Sequence, residues 1–167
     1  GEGELNLVDE WVLDETEALI KLAAYQEGLV ALDADGTLYH YTFDDVLTSV
    51  QVSIPPYFQD LHITDDPYIL HSTGGNGLFV YDTSLNVRDV WPELGESRAL
   101  TSVDSQVYVT VTEEFWVLEI DPTGLLSESW QTPLEPYEAP SMIYSDRGYA
   151  YSIDSELGHF SIIDTIR

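Results

Sequence analysis

The chain has 167 residues, of which 44% are hydrophobic and 12% aromatic, a length that suits one domain with its own core and a composition unlike that of a disordered acidic tail. Asp and Glu number 31 against 5 Lys and Arg, a formal charge of -26, which repels phosphate backbones and anionic lipid and argues against nucleic acid or membrane insertion. With no Cys, disulfides, thiolate nucleophiles and zinc–thiolate sites are excluded.

The chain opens on Gly1 rather than Met, which fits a processed mature form and a trimmed chain equally, and residues 1–15 lack the basic start and apolar stretch of a secretory signal. No apolar run approaches the ~18 residues of a membrane span. Leu5-Asn6-Leu7-Val8-Asp9-Glu10-Trp11 repeats the pattern of Leu85-Asn86-Val87-Arg88-Asp89-Val90-Trp91, an outer strand in each case. Residues 14–26 carry helix-favouring Ala, Leu, Glu and Lys behind a capping Asp or Thr. The repeat register instead makes 18–26 a strand, and we take the register as the stronger signal.

That register comes from four units about 40 residues apart. Gly28, Pro67, Gln106 and Gly148 open equivalent second strands, and apolar Leu22, Leu61, Leu100 and Met142 stand at one position shortly before them. Third strands end in Phe43-Asp44, Tyr81-Asp82, Ile120-Asp121 and Ile163-Asp164. Within each unit the runs are short, alternating and rich in Val, Ile, Tyr, Phe and Thr, bounded by turn formers such as Asp33-Ala34-Asp35-Gly36 and Gly74-Gly75-Asn76-Gly77. Four-stranded units at this period predict an all-β, four-bladed β-propeller. Blade one covers about 16–53, blade two 57–92, blade three 97–132, and blade four 139–167 plus an outer strand at 4–13 that closes the ring and removes unpaired edges. Two chains exchanging ends would instead make these blades half of an eight-bladed ring.

Gly77-Leu78-Phe79-Val80-Tyr81-Asp82-Thr83-Ser84 resembles the glycine, apolar, aspartate ending of LVIVD-type propeller repeats, and Asp33-Ala34-Asp35-Gly36-Thr37-Leu38-Tyr39 is similar to hairpins of quinoprotein-like and tachylectin-like propellers. The letters match in units one and two, whereas units three and four carry Glu113-Glu114 and Ser155-Glu156 at the turn. The resemblance implies a propeller and transfers no catalytic residue.

Lys21 is the sole Lys, beside Arg88, Arg98, Arg147 and Arg167. Replacement of surface Lys by hydrated carboxylates is expected of a protein working in molar salt, where the screening length falls to about 3 Å. The other reading is an acidic, cation-binding extracellular protein.

Asp33-Ala34-Asp35-Gly36 has only part of a calcium-loop pattern and reads as a hairpin turn. Asp44, Asp82, Asp121 and Asp164, with Asp65, Asp104 and Asp146 in the turns between first and second strands, fall on one propeller face. They are candidates for binding a cation such as calcium or a basic partner, although acids on the opposite face favour plain solvation. A hairpin centred between Asp66 and Pro67 sets His62 across from His71 with Asp60 on the face of His62, a ligand type that holds Zn or Fe, while packing is the commoner role of such a pair. Trp11, Trp91 and Trp130 share an outer-strand position suited to inter-blade packing. Tyr57 and Tyr137, in Pro-rich linkers, are candidates for an exposed contact surface.

No nucleophile elbow and no phosphate-binding loop is present. The expected function is therefore a non-catalytic protein-interaction or structural module of a high-salt surface, filament or virion assembly, located outside the cell or on a virion. A carbohydrate- or cation-binding lectin-like propeller is the first alternative, and a metal-dependent hydrolase or lyase using His62 and His71 the second.

Overall fold

A computed structural model describes residues 18–42, 46–51, 59–94, 97–111, 114–134, 142–146, 149–154 and 159–164. The first sheet holds β1 (Leu19–Tyr25), β2 (Gly28–Asp33), β3 (Thr37–Thr42) and β4 (Val46–Gln51). The second holds β5 (Asp60–Ile63), β6 (Ile69–Ser72), β7 (Leu78–Tyr81) and β8 (Val87–Trp91), followed by a 3-10 turn at Pro92–Leu94. The third holds β9 (Ser97–Val103), β10 (Gln106–Val111), β11 (Glu114–Ile120) and β12 (Leu126–Pro133). The last has three strands, β13 (Met142–Asp146), β14 (Tyr149–Asp154) and β15 (His159–Asp164). The outer strand expected at 4–13 lies outside the described residues.

Every sheet is an antiparallel meander whose strand order follows the chain. The first strands meet at the centre, β1 beside β5, β5 beside β9 and β9 beside β13. Four blades arranged side by side about their inner strands make this a four-bladed β-propeller, as the repeat predicts.

The alternation of each strand separates the two faces of each blade, and the apolar rows meet between blades. Val30, Leu32 and Leu38 of blade one pack with Leu61, Ile69 and Tyr81 of blade two. Leu70, Leu78 and Val80 on the other face of blade two pack with Leu100, Val107, Val109 and Leu118 of blade three. Tyr108, Phe115 and Val117 on the far face of blade three pack with Ala150 of blade four, with Ile143 and Ile163 at the margin. Trp91 and Trp130 lie against the second and third of these cores, the inter-blade role expected for that position.

Leu19–Tyr25 is a strand despite its helical propensity, because Ala23 joins the first core and Lys21 reaches Asp60 of blade two. Tertiary packing outweighs a propensity difference of a few tenths of a kcal/mol per residue. Three details differ from the sequence reading. β6 begins at Ile69, leaving Pro67 in the turn. The face that turns to the preceding blade carries Leu61 and Leu100, and in blade four this row falls on Ile143, one residue beyond Met142. Asp146 is the last residue of β13, paired with Tyr149, rather than a turn residue.

Three hairpins share one turn chemistry. Asp33 Oδ1 accepts the N–H groups of Asp35 (3.0 Å) and Thr37 (2.8 Å). Asp82 Oδ1 accepts those of Ser84 and Asn86, both at 2.9 Å. Asp121 Oδ1 accepts those of Thr123 (2.7 Å) and Leu125 (3.0 Å). The residue three beyond each Asp has positive φ: Gly36 (84°), Leu85 (60°) and Gly124 (85°). A carboxylate that satisfies two turn amides removes their desolvation cost and fixes the hairpin.

Candidate functional site

Polar side chains from blade two reach the inner strand of blade three near the propeller centre. Asp60 is 8% exposed and accepts the N–H of Leu61 at 3.0 Å and of Leu100 at 3.1 Å. Lys21 Nζ of blade one sits 2.9 Å from Asp60 Oδ1. Two residues on, His62 Nε2 accepts the N–H of Ser102 at 3.1 Å and lies 2.9 Å from its Oγ. The innermost strand of a blade has no further strand to pair with, so its inward N–H groups need other acceptors. Asp60 and His62 supply them for β9.

This arrangement fixes the chemistry of His62. An Nε2 that accepts a main-chain N–H carries no proton, so the ring is neutral and its proton resides on Nδ1. Burial pushes His62 below the ordinary histidine value of 6.5, against the opposing pull of Asp60 and Asp65. The Ser102 hydroxyl competes with its own amide for that single lone pair, which makes the imidazole a structural acceptor rather than a free base.

The expected convergence of His62, His71 and Asp60 does not form. The register pairs Leu61 with His71 and His62 with Leu70, one residue off the expected pairing. A one-residue slip moves a side chain to the other face, so His62 turns toward blade three and His71 toward blade one. The cause is the loop: the Thr64 N–H donates to the Tyr68 carbonyl at 3.0 Å, and Thr64 Oγ1 accepts the Tyr68 N–H at 3.0 Å, centring the hairpin on Asp66. His71 is fully buried, with Nε2 3.2 Å from Gln59 Oε1, Nδ1 without a hydrogen-bond partner, and the ring pushed down to about 4 by burial. Among the described residues no three His, Asp or Glu side chains come together in a metal-binding group.

A cleft of about 510 Å³ lies between blades one and two, lined by Tyr25, Gln26 and Glu27 from the β1–β2 turn and by Thr64, Asp65 and Pro67 from the β5–β6 turn. The Tyr25 ring stacks on His40 at 5.8 Å, and its hydroxyl lies 2.7 Å from His40 Nε2. Burial and the charge of Glu27 raise Tyr25 above 10.0. Burial also lowers His40, which keeps this histidine neutral near pH 7. The cleft therefore offers an aromatic wall and two carboxylates, Glu27 and Asp65, with no counter-cation in the lining.

Of the expected binding residues, Asp65 lines this cleft and is exposed. Asp104 is exposed at a two-residue turn with φ of 51°. The register places Asp146 beside Tyr149. Tyr57 and Tyr137 lie outside the described residues. Sequence reading missed Tyr25 and Glu27 as site residues, and Lys21 and Ser102 as partners of the central carboxylate and imidazole. Their equivalent places in the turns and inner strands were visible in the repeat, but the blade-to-blade juxtaposition was not.

No known protein family matches the sequence, and no curated protein matches it. Solved structures do match. The computationally designed Ika4 protein aligns over 98% of both chains at a TM-score of 0.66 and 14% identity. The designed Ika8 protein aligns over 87% of this chain and 45% of its own at 0.64 and 15%. BamB from Moraxella catarrhalis aligns over 90% of this chain and 48% of its own at 0.66 and 15%. The chain thus spans about half the length of the last two. At such identities the likeness establishes the fold, and the chain is a β-propeller repeat protein.

Proposed function

We propose that this propeller is a non-catalytic protein-interaction module whose contact surface is the face carrying the β1–β2, β5–β6 and β9–β10 turns. One observation carries the reading: the polar side chains able to do chemistry at the centre, Asp60 and His62, are committed to the main chain of blade three, while the exposed cleft pairs an aromatic ring with uncompensated carboxylates. A rigid acidic cleft beside an aromatic wall suits a basic, extended segment of a partner protein. The charge of -26 and the single Lys support a high-salt setting, and we place the module in an extracellular, cell-surface or virion assembly there.

The test is cross-linking of the protein to its neighbours in the source material at native salt, beside a Glu27→Lys, Asp65→Lys double variant. Partners recovered by the native protein should be lost with the variant. Equal recovery by both would remove the cleft from the contact surface, and turnover of a substrate at this centre would refute the non-catalytic reading.

A further inference from the structure

Two depressions flank the β5–β6 turn. The cleft of about 510 Å³ lies on its blade-one side. A second of about 350 Å³ is walled by Asp66, Pro67 and Tyr68, by Asp82 and Thr83 of the β7–β8 turn, and by Pro122 of the β11–β12 turn. Pro67 lines both, so the two lie end to end across it, from blade one to blade three. Thr83 also joins them from behind, because its main chain bonds His40, the ring on which Tyr25 stacks.

Each half has one aromatic wall, and each wall is fixed in place. Tyr25 is held by His40, with 2.7 Å between its hydroxyl and Nε2. Tyr68 donates its hydroxyl to the Pro122 carbonyl at 2.8 Å. Its ring rests on Gly124, where an added Cβ would lie 2.7 Å from Tyr68 Cε1. Walls ordered in advance lower the entropy lost on binding. Glu27, Asp65 and Asp66 are exposed along the groove, and neither lining contains a Lys or Arg among the described residues. Asp82 differs from them, being paired with Arg88 at 2.6 Å.

The lining selects among the ways a peptide segment can dock. It comes from turns and strand ends, so it presents no strand edge for strand addition. A helix needs a trough of large aliphatic side chains, and Ile63 is the single one among the described lining residues. A phosphorylated or acidic motif needs Arg clusters, where this groove is acidic. A polyproline II segment needs none of these: its rings pack flat on tyrosine and proline, and its backbone is content with water.

We infer that the groove binds a basic, proline-rich segment of a partner protein in the polyproline II conformation. Its prolines lie against Tyr25 and Tyr68, and its cationic side chains reach Glu27, Asp65 and Asp66. This occupant rests on the contact surface proposed above and extends it past Pro67. With three residues per turn, cations at every third position share one edge at a spacing of about 9 Å, which sets them along the acids while the prolines between them meet the rings.

The test is fluorescence anisotropy, in molar KCl, of a labelled peptide of four Arg-Pro-Pro repeats beside peptides of four Arg-Gly-Gly and four Glu-Pro-Pro repeats. The Arg-Pro-Pro peptide should bind about tenfold more tightly than Arg-Gly-Gly, because its conformation is set before binding, and Glu-Pro-Pro should not bind. Tyr68→Ala and Asp66→Lys should each weaken Arg-Pro-Pro binding about tenfold with unchanged circular dichroism. Asp66→Lys alters an exposed side chain and decides the matter if Tyr68→Ala fails to fold. Equal affinity for Arg-Pro-Pro and Arg-Gly-Gly would overturn the inference and leave the acidic contact surface standing. Binding lost in the Glu27→Lys, Asp65→Lys variant but unchanged in Asp66→Lys would stop the segment short of Pro67 and overturn it too. So would no binding of the Arg-Pro-Pro peptide, while the cross-linking above judges the contact surface separately.

Discussion

Acidification should cost this fold stability through His71, and the amount follows from its burial. The ring has no exposed surface, its Nδ1 has no partner, and its folded value is about 4 against 6.5 for a free imidazole. The unfolded chain therefore takes up a proton that the folded chain refuses over the window between those values. Stability attributable to His71 is complete above pH 6.5 and declines as pH falls toward 4. At about 1.4 kcal/mol per pH unit, the loss across this window is about 3 kcal/mol. Denaturant melts of the native protein and a His71→Leu variant at pH 7.5, 6.5, 5.5 and 4.5 isolate this contribution, because the 31 carboxylates titrate alike in both. The variant should lose less stability than the native protein between pH 6.5 and 4.5. Parallel curves for the two proteins would refute the assignment of His71 as a buried neutral group.

Asp60→Ala should destabilise by about 2–4 kcal/mol, because the Leu100 N–H is then buried without an acceptor and Lys21 loses its partner, itself only partly shielded from water. A thermal melt reads this as a drop of roughly 4–16 °C, and a change below one degree would contradict the capping role. Gly77→Ala should cost at least about 2 kcal/mol, since φ is 88° and an added Cβ would lie 2.1 Å from the carbonyl oxygen of Trp91; an unchanged denaturation midpoint would count against that geometry. Melting temperature should climb steeply from 0.01 M to 1 M KCl, as the screening length contracts from about 30 Å to 3 Å around a chain of charge -26. A flat response would exclude repulsion between carboxylates as a controlling term.

The blade pattern was legible in the sequence because strand period and turn chemistry are local. The runs read as strands carry Leu70, Val80 and Val109, which lie in an inter-blade core, and the repeat correctly overruled helical propensity at Leu19–Tyr25. Register was less legible. The five-residue connection from Thr64 to Tyr68 is held by the Thr64 hydroxyl, and counting from the Asp66–Pro67 bond gave a pairing one residue out, which put His62 and His71 on the wrong faces relative to each other. The aspartates that looked like a cation-binding ring gave a second lesson. Asp82 and Asp121 spend their Oδ1 atoms on turn amides two and four residues on, and the spacing from Asp to a left-handed residue, as in Asp33 to Gly36, was the available signal. The cleft was not legible, because Tyr25, Glu27 and Asp65 meet only when blades one and two pack.

A propeller blade behaves as a repeat whose stability comes from its own sheet and from its immediate neighbours. Among the described residues, blades two and three each contribute to two inter-blade cores, and blades one and four to one each. Blade four is the extreme case: its described sheet has three strands, and Ala150 is its only fully buried hydrophobic among the described residues. Tyr68 to Pro122, Asp89 to Leu126, Asp60 to Leu100 and His62 to Ser102 all tie blade two to blade three. Cooperativity should therefore radiate from the pair of central blades.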